Sequence, residues 1–117
     1  MEIVMSGAKL FSSTALGLSL LFSGLAFAEN HKVEATQHAV AAEESAKKGD
    51  TAACAEHASV AKTHAEAAKA ERANPHLDAG IKNLDETIIH AKAGHAPMAA
   101  ESAHAAVTHL TAAEKSF

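Results

Sequence analysis

The sequence predicts an all-α protein, an antiparallel up-down-up-down four-helix bundle built from a duplicated helical hairpin. Three observations predict it. Alanine, glutamate and lysine, all strong helix formers, dominate the chain beyond residue 28. Breakers mark three divisions there: Gly49-Asp50, Asn74-Pro75 and the "GHAP" run from Gly94 to Pro97. A shift of 45 residues also superposes Ala46, Lys47, Gly49, Glu56, Ala58, Ala61, Thr63, His64, Ala67 and Ala68 on Ala91, Lys92, Gly94, Glu101, Ala103, Ala106, Thr108, His109, Ala112 and Ala113. A duplicated hairpin with short connections closes most simply as a four-helix bundle.

Residues 1–28 read as a cleaved signal peptide. Lys9 precedes the apolar run "LFSSTALGLSLLFSGLAF", which ends in the small-x-small site Ala26-Phe27-Ala28. Its expected destination in a Gram-negative cell is the periplasm. Residues 29–117 then form one domain.

The first helix is expected over 31–48, ended by Gly49 as a C-cap. Asp50 caps the second, over 51–73. Asn74 caps the third, over 75–93, with Pro75 at its first position. The fourth follows "GHAP", over 97–115. Apolar seams at alternating steps of three and four support the bundle. They run through Ala35, Ala39, Ala42 and Ala46; through Cys54, Ala58, Ala61, Ala65 and Ala68; through Leu77, Ile81, Leu84, Ile88 and Ala91; and through Ala99, Ala103, Ala106, Leu110 and Ala113.

Composition excludes several functions. Residues 29–117 carry nine Lys and Arg against thirteen Asp and Glu, the wrong sign for nucleic acid. Cys54 is the only cysteine, so no intramolecular disulfide forms, and no C-x-x-C-H is present for covalent haem. No Ser-His-Asp arrangement or phosphate-cradling glycine loop occurs. "ESAH" at 101–104 matches the Glu-x-x-His of di-iron bundles, but Ser59 stands at the equivalent of His104 in the first half. The chain is expected not to be an enzyme.

What it has instead is histidine, nine residues in all. Eight fall on combs of heptad spacing: His31 and His38 with Ser45; Asp50, His57, His64 and Glu71; His76, Asn83 and His90; His95, Ser102 and His109. Only His104 stands apart. Seven residues return to nearly the same helix face, and most teeth immediately precede a seam residue, which sets the combs on the flank of the core. Combs with this offset share an interface between helices 1/2 and 3/4, or between 2/3 and 4/1. Counting from the Ala73-Asn74 turn favours 2/3, with Glu71 opposite His76 and His57 opposite His90.

Teeth on one helix lie about 10 Å apart, at roughly 1.5 Å per residue, whereas metal–imidazole bonds are about 2 Å. A ligand set must therefore cross an interface or draw on positions three or four away, as Glu34 is to His38 and Glu86 to His90. The reading is several separate imidazole and carboxylate sites. Cys54, near the Gly49 and Gly94 turns, is expected to be a small buried residue, and Met98 a core filler.

The segment from Asn74 to Leu110, "NPHLDAGIKNLDETIIHAKAGHAPMAAESAHAAVTHL", resembles the small metal-binding protein family through "NPHL", the "GI" step, "HAKAGH" and the closing "THL". That family comprises secreted, histidine-rich four-helix bundles that bind copper and other divalent ions. The resemblance implies ligand roles for His76, His90, His95 and His109. Asn83 and Ser102 stand where the pattern would more often show histidine.

The combined expectation is a monomeric periplasmic protein that sequesters or buffers copper. Its ligands would come from His31, His38, His57, His64, Glu71, His76, Glu86, His90, His95 and His109. Cu(II) heads the affinity order for such sites, with Zn(II) and Ni(II) as competitors. Metal ions are its partners; nucleic acid is not, and nor is a membrane after signal cleavage. One alternative is a pH-sensing helical stress or chaperone-like module that takes no metal. Another is a haem b bundle, for which alanine seams leave little room.

Overall fold

The computed structural model describes residues 28–116, all but a few of them in four helices. These are α1 (Ala28–Lys47), α2 (Thr51–Glu71), α3 (Pro75–Lys92) and α4 (Ala96–Lys115). Residues 1–27 of the expected signal segment lie outside the described residues. No described helix is long and apolar enough to cross a membrane. The helices form the expected up-down-up-down bundle, with α1 packed on α2 and α4, and α3 packed on the same two neighbours. The boundaries differ from expectation at α1, which begins at Ala28, three residues before the expected start, and at α2. That helix stops at Glu71 because Arg72 adopts an extended backbone, φ −154° and ψ 115°.

Both hairpins turn in the same way. Gly49 (φ 84°) and Gly94 (φ 81°) take the left-handed conformation that glycine adopts without strain. The amide of Gly49 donates to the Ala46 carbonyl and that of Asp50 to Ser45, both at 2.9 Å. Gly94 donates likewise to Ala91 at 3.0 Å, and His95 to His90 at 2.9 Å. This is the Schellman closure, which satisfies carbonyls left over at a helix end. The central connection works differently. Asn74 accepts from the His76 amide at 2.8 Å through its side chain, and Pro75 opens α3.

Small side chains fill the core. The seams expected for α1, α2 and α4 are buried as predicted, and nearly every residue in them is alanine. The α3 seam needs correction. It runs through Leu77, Gly80, Leu84, Thr87 and Ala91, whereas Ile81 and Ile88 are only partly buried against its edge. Gly80 takes the inner position because Leu110 of α4 fills the room there: a Cβ on Gly80 would lie 2.7 Å from Leu110 Cδ2. Thr87 tolerates full burial because its hydroxyl donates to the Asn83 carbonyl at 2.8 Å. Met98 is not a core filler; it sits in the first turn of α4, 48% exposed.

Polar residues on the flanks distinguish the four interfaces. Between α2 and α3, Lys62 pairs with Asp85 at 2.7 Å and Lys69 with Asp78 at 2.6 Å. Between α1 and α4, the buried Lys32 donates its ammonium to the Ala113 carbonyl at 3.2 Å. In the same interface Glu43 meets His104 Nδ1 at 3.1 Å and Lys47 at 3.0 Å. The α1/α2 and α3/α4 flanks carry the histidine combs.

Candidate metal centre

The combs meet within each hairpin and not across α2/α3. His31 Nδ1 lies 3.0 Å from His64 Nδ1. His38 stacks between His57 and His64, with ring centroids 5.7 and 5.9 Å away. The expectation that set Glu71 opposite His76 and His57 opposite His90 is therefore corrected. Lys62, Lys69, Asp78 and Asp85, which repeat with the same heptad spacing, occupy the α2/α3 flank instead. The Schellman turn explains the register. It joins α1 to α2 so tightly that His31 comes level with His64 and His38 with His57.

Glu34 completes the cluster. It lies one turn before His38 on α1, the i,i+4 relation that places two side chains on one face. Its Oε1 is 3.9 Å from His64 Nε2. Among the described residues, Glu34, His38 and His64 form the group that can hold a metal, each offering one ligand atom within 4.8 Å of the others. All three are half-buried. Two imidazoles and a carboxylate from two helices make a donor set suited to borderline divalent ions.

The surroundings favour the neutral form of these imidazoles. Burial pulls the His38 ring below its ordinary value, the neighbouring His57 adds to this, and Glu34 opposes it. Burial likewise lowers His64, with Glu34 opposing and His31 and His38 reinforcing. A neutral imidazole is the form that binds metal.

The other expected ligands stand outside this cluster. Glu71 and Glu86 are exposed; the carboxylate present at the centre belongs to Glu34. The i,i+4 step to His38 was the available sequence signal. In the second hairpin His76 and His109 stack with centroids 6.1 Å apart, repeating the His31/His64 level. One heptad further along, the same register sets Asn83 level with Ser102, where the first hairpin has His38 and His57. His90 and His95 flank the Gly94 turn, linked through their backbones. Cys54 is fully buried, and burial, with Asp50 beside it, pushes its thiol up, so it serves as a small apolar residue.

Comparison with known proteins bears on this geometry. No curated protein matches the chain. The family profile described as "Small metal-binding protein" matches residues 5–113, nearly the whole length. With its four-helix bundle and its histidine–glutamate cluster, the chain belongs to the small metal-binding protein family.

Proposed function

We propose that the protein captures and buffers divalent copper in the periplasm, with Zn(II) and Ni(II) as competitors. One observation carries the reading: the convergence of Glu34, His38 and His64 from α1 and α2. The 3.9 Å between Glu34 Oε1 and His64 Nε2 is too long for a hydrogen bond. It lies within twice a metal–ligand bond of about 2.0 Å, the widest spacing that two ligands of one ion can have. Copper is favoured because Cu(II) stands highest in the intrinsic affinity order for nitrogen and oxygen ligands. His76 with His109, and His90 with His95, supply further positions on the second hairpin. A leader with the form of a signal peptide at residues 1–28 supports the periplasmic location. Release is by proton competition, since each imidazole that charges is lost as a ligand. A binding role, with no substrate turned over, is supported by the description of the family as metal-binding.

The test is a calorimetric titration of the purified protein with Cu(II) at pH 7.5 and pH 5.5. Micromolar or tighter binding at pH 7.5, weakened at pH 5.5 and reduced by at least tenfold in His38→Ala and His64→Ala, is the expected result. Binding indifferent to pH and to both substitutions would leave the pH-sensing helical module as the better account.

A further inference from the structure

His31 touches the centre although the ligand group does not include it. Its Nδ1 lies 3.0 Å from His64 Nδ1, a hydrogen-bond distance that requires one ring to donate and the other to accept. The two choices have opposite consequences. If His31 donates, a neutral His64 carries its own proton on Nε2, the nitrogen that faces Glu34 Oε1. That nitrogen could then bind no cation. If His64 donates from Nδ1, its Nε2 lone pair is left open on the side of Glu34.

The metal reading of the centre selects the second arrangement. Nε2, the nitrogen 3.9 Å from Glu34 Oε1, can serve as a ligand only with its lone pair free. An Nδ1 proton has an acceptor at 3.0 Å in His31. His31 and His38 touch His64 in different ways: His31 through Nδ1 at 3.0 Å, His38 by stacking its ring, with centroids 5.9 Å apart. Histidines that ligate metals are commonly oriented in this way, by an acceptor on the nitrogen opposite the metal.

We infer that His31 is a positioning residue for His64: by accepting the His64 Nδ1 proton it fixes the tautomer in which Nε2 is the ligand atom. The inference rests on the metal reading of Glu34, His38 and His64. It removes His31 from the expected ligand list and gives it a different task at the same centre. His31 itself then carries its proton on Nε2.

The tautomer can be read without any metal. Long-range proton–nitrogen correlation spectra of the chelator-treated, nitrogen-15-labelled protein at pH 7.5 distinguish a protonated Nδ1 from a protonated Nε2. His64 is expected in the Nδ1–H form, and His31→Phe, which removes the acceptor, is expected to move it to Nε2–H. His64 found as Nε2–H in the unsubstituted protein overturns the inference.

Cu(II) titration then separates positioning from ligation. His31→Phe should weaken binding by about 10- to 100-fold, the usual effect of losing such an outer partner. The number of ions bound and the number of coupled nitrogens in the electron paramagnetic resonance spectrum should stay unchanged. His31→Gln, whose amide oxygen can accept the same proton, should recover most of the affinity. Loss of one coupled nitrogen in His31→Phe would make His31 a ligand, overturning the inference while the metal reading stands. If His38→Ala combined with His64→Ala leaves Cu(II) binding at full strength, the metal reading fails and the positioning role with it.

Discussion

Leu110 of α4 occupies the space that a side chain at Gly80 of α3 would need, with its Cδ2 and Cγ 2.7 and 3.0 Å from the position of a Cβ there. Helix propensity alone would favour Gly80→Ala by about 1 kcal/mol. Leu110 is only 1% exposed, so yielding would disturb its buried packing, and the crowding term, roughly 1–3 kcal/mol, should win. The expected result is a net loss of about 1 kcal/mol in urea unfolding. In a Leu110→Val background the same substitution should be neutral or stabilising. Equal effects in both backgrounds would show that the two residues are not coupled.

The lowered protonation of His38 and His64 makes metal-free stability depend on pH. Below the ordinary histidine range, near 6.5, the unfolded chain takes up protons that these two folded imidazoles resist. The unfolded state then binds more protons, so stability falls as the pH drops from about 6.5 through the folded values of the two rings. In the presence of chelator, the urea midpoint should be lower at pH 5.5 than at pH 7.5. The difference should shrink in the variant carrying both His38→Gln and His64→Gln.

Coupling of metal affinity should follow the hairpins. His38 and His64 contribute to one centre, so either single substitution should remove most of the affinity there, and the pair should lose little more. His57 and His90 lie on different hairpins, on flanks that do not face each other. Their substitutions should add within about 0.5 kcal/mol in a double-mutant cycle of Cu(II) affinity. Strong coupling between His57 and His90 would restore the α2/α3 pairing that the structure rejects.

Lys32 is 7% exposed, yet its ammonium reaches the Ala113 carbonyl in the last turn of α4. A cation at a helix C-terminus is favoured by the helix dipole as well as by the hydrogen bond. Lys32→Met keeps the apolar stem and deletes the charge. A loss of about 1 kcal/mol is expected, with faster amide exchange concentrated in the final turn of α4. Uniform loosening of all four helices would instead point to packing of the stem.

The fold was legible because its punctuation is local. Gly49, Gly94, Asn74 and Pro75 mark the turns through their own backbone preferences, and the alanine seams follow from the heptad. The α3 seam was misread for a reason that no local rule contains. Isoleucine outranks glycine and threonine on any hydrophobicity scale, but the inner position at Gly80 is decided by the bulk of Leu110, thirty residues later. The combs were likewise visible while their partners were not. Which flanks meet depends on how the turn closes, and the tight Schellman geometry brings His31 level with His64. Glu34 could be named as a neighbour of His38 from spacing alone; its inclusion in the centre needed the opposing helix.

The matched glycine turns also make metal capacity something like a dial. Each hairpin holds its levels on a backbone frame that does not depend on which side chains occupy them, and the core beneath is formed by other residues. A level can therefore be filled or left blank without disturbing the fold, as Asn83 and Ser102 leave one blank between His76/His109 and His90/His95. Asn83→His with Ser102→His should raise the number of Cu(II) ions bound per chain, counted by titration, while the helical content stays the same. An inserted residue at Gly49 would do the reverse. By rotating α2 about 100° against α1, it would scatter the His31, His38, His57 and His64 ladder although every histidine remained in the chain.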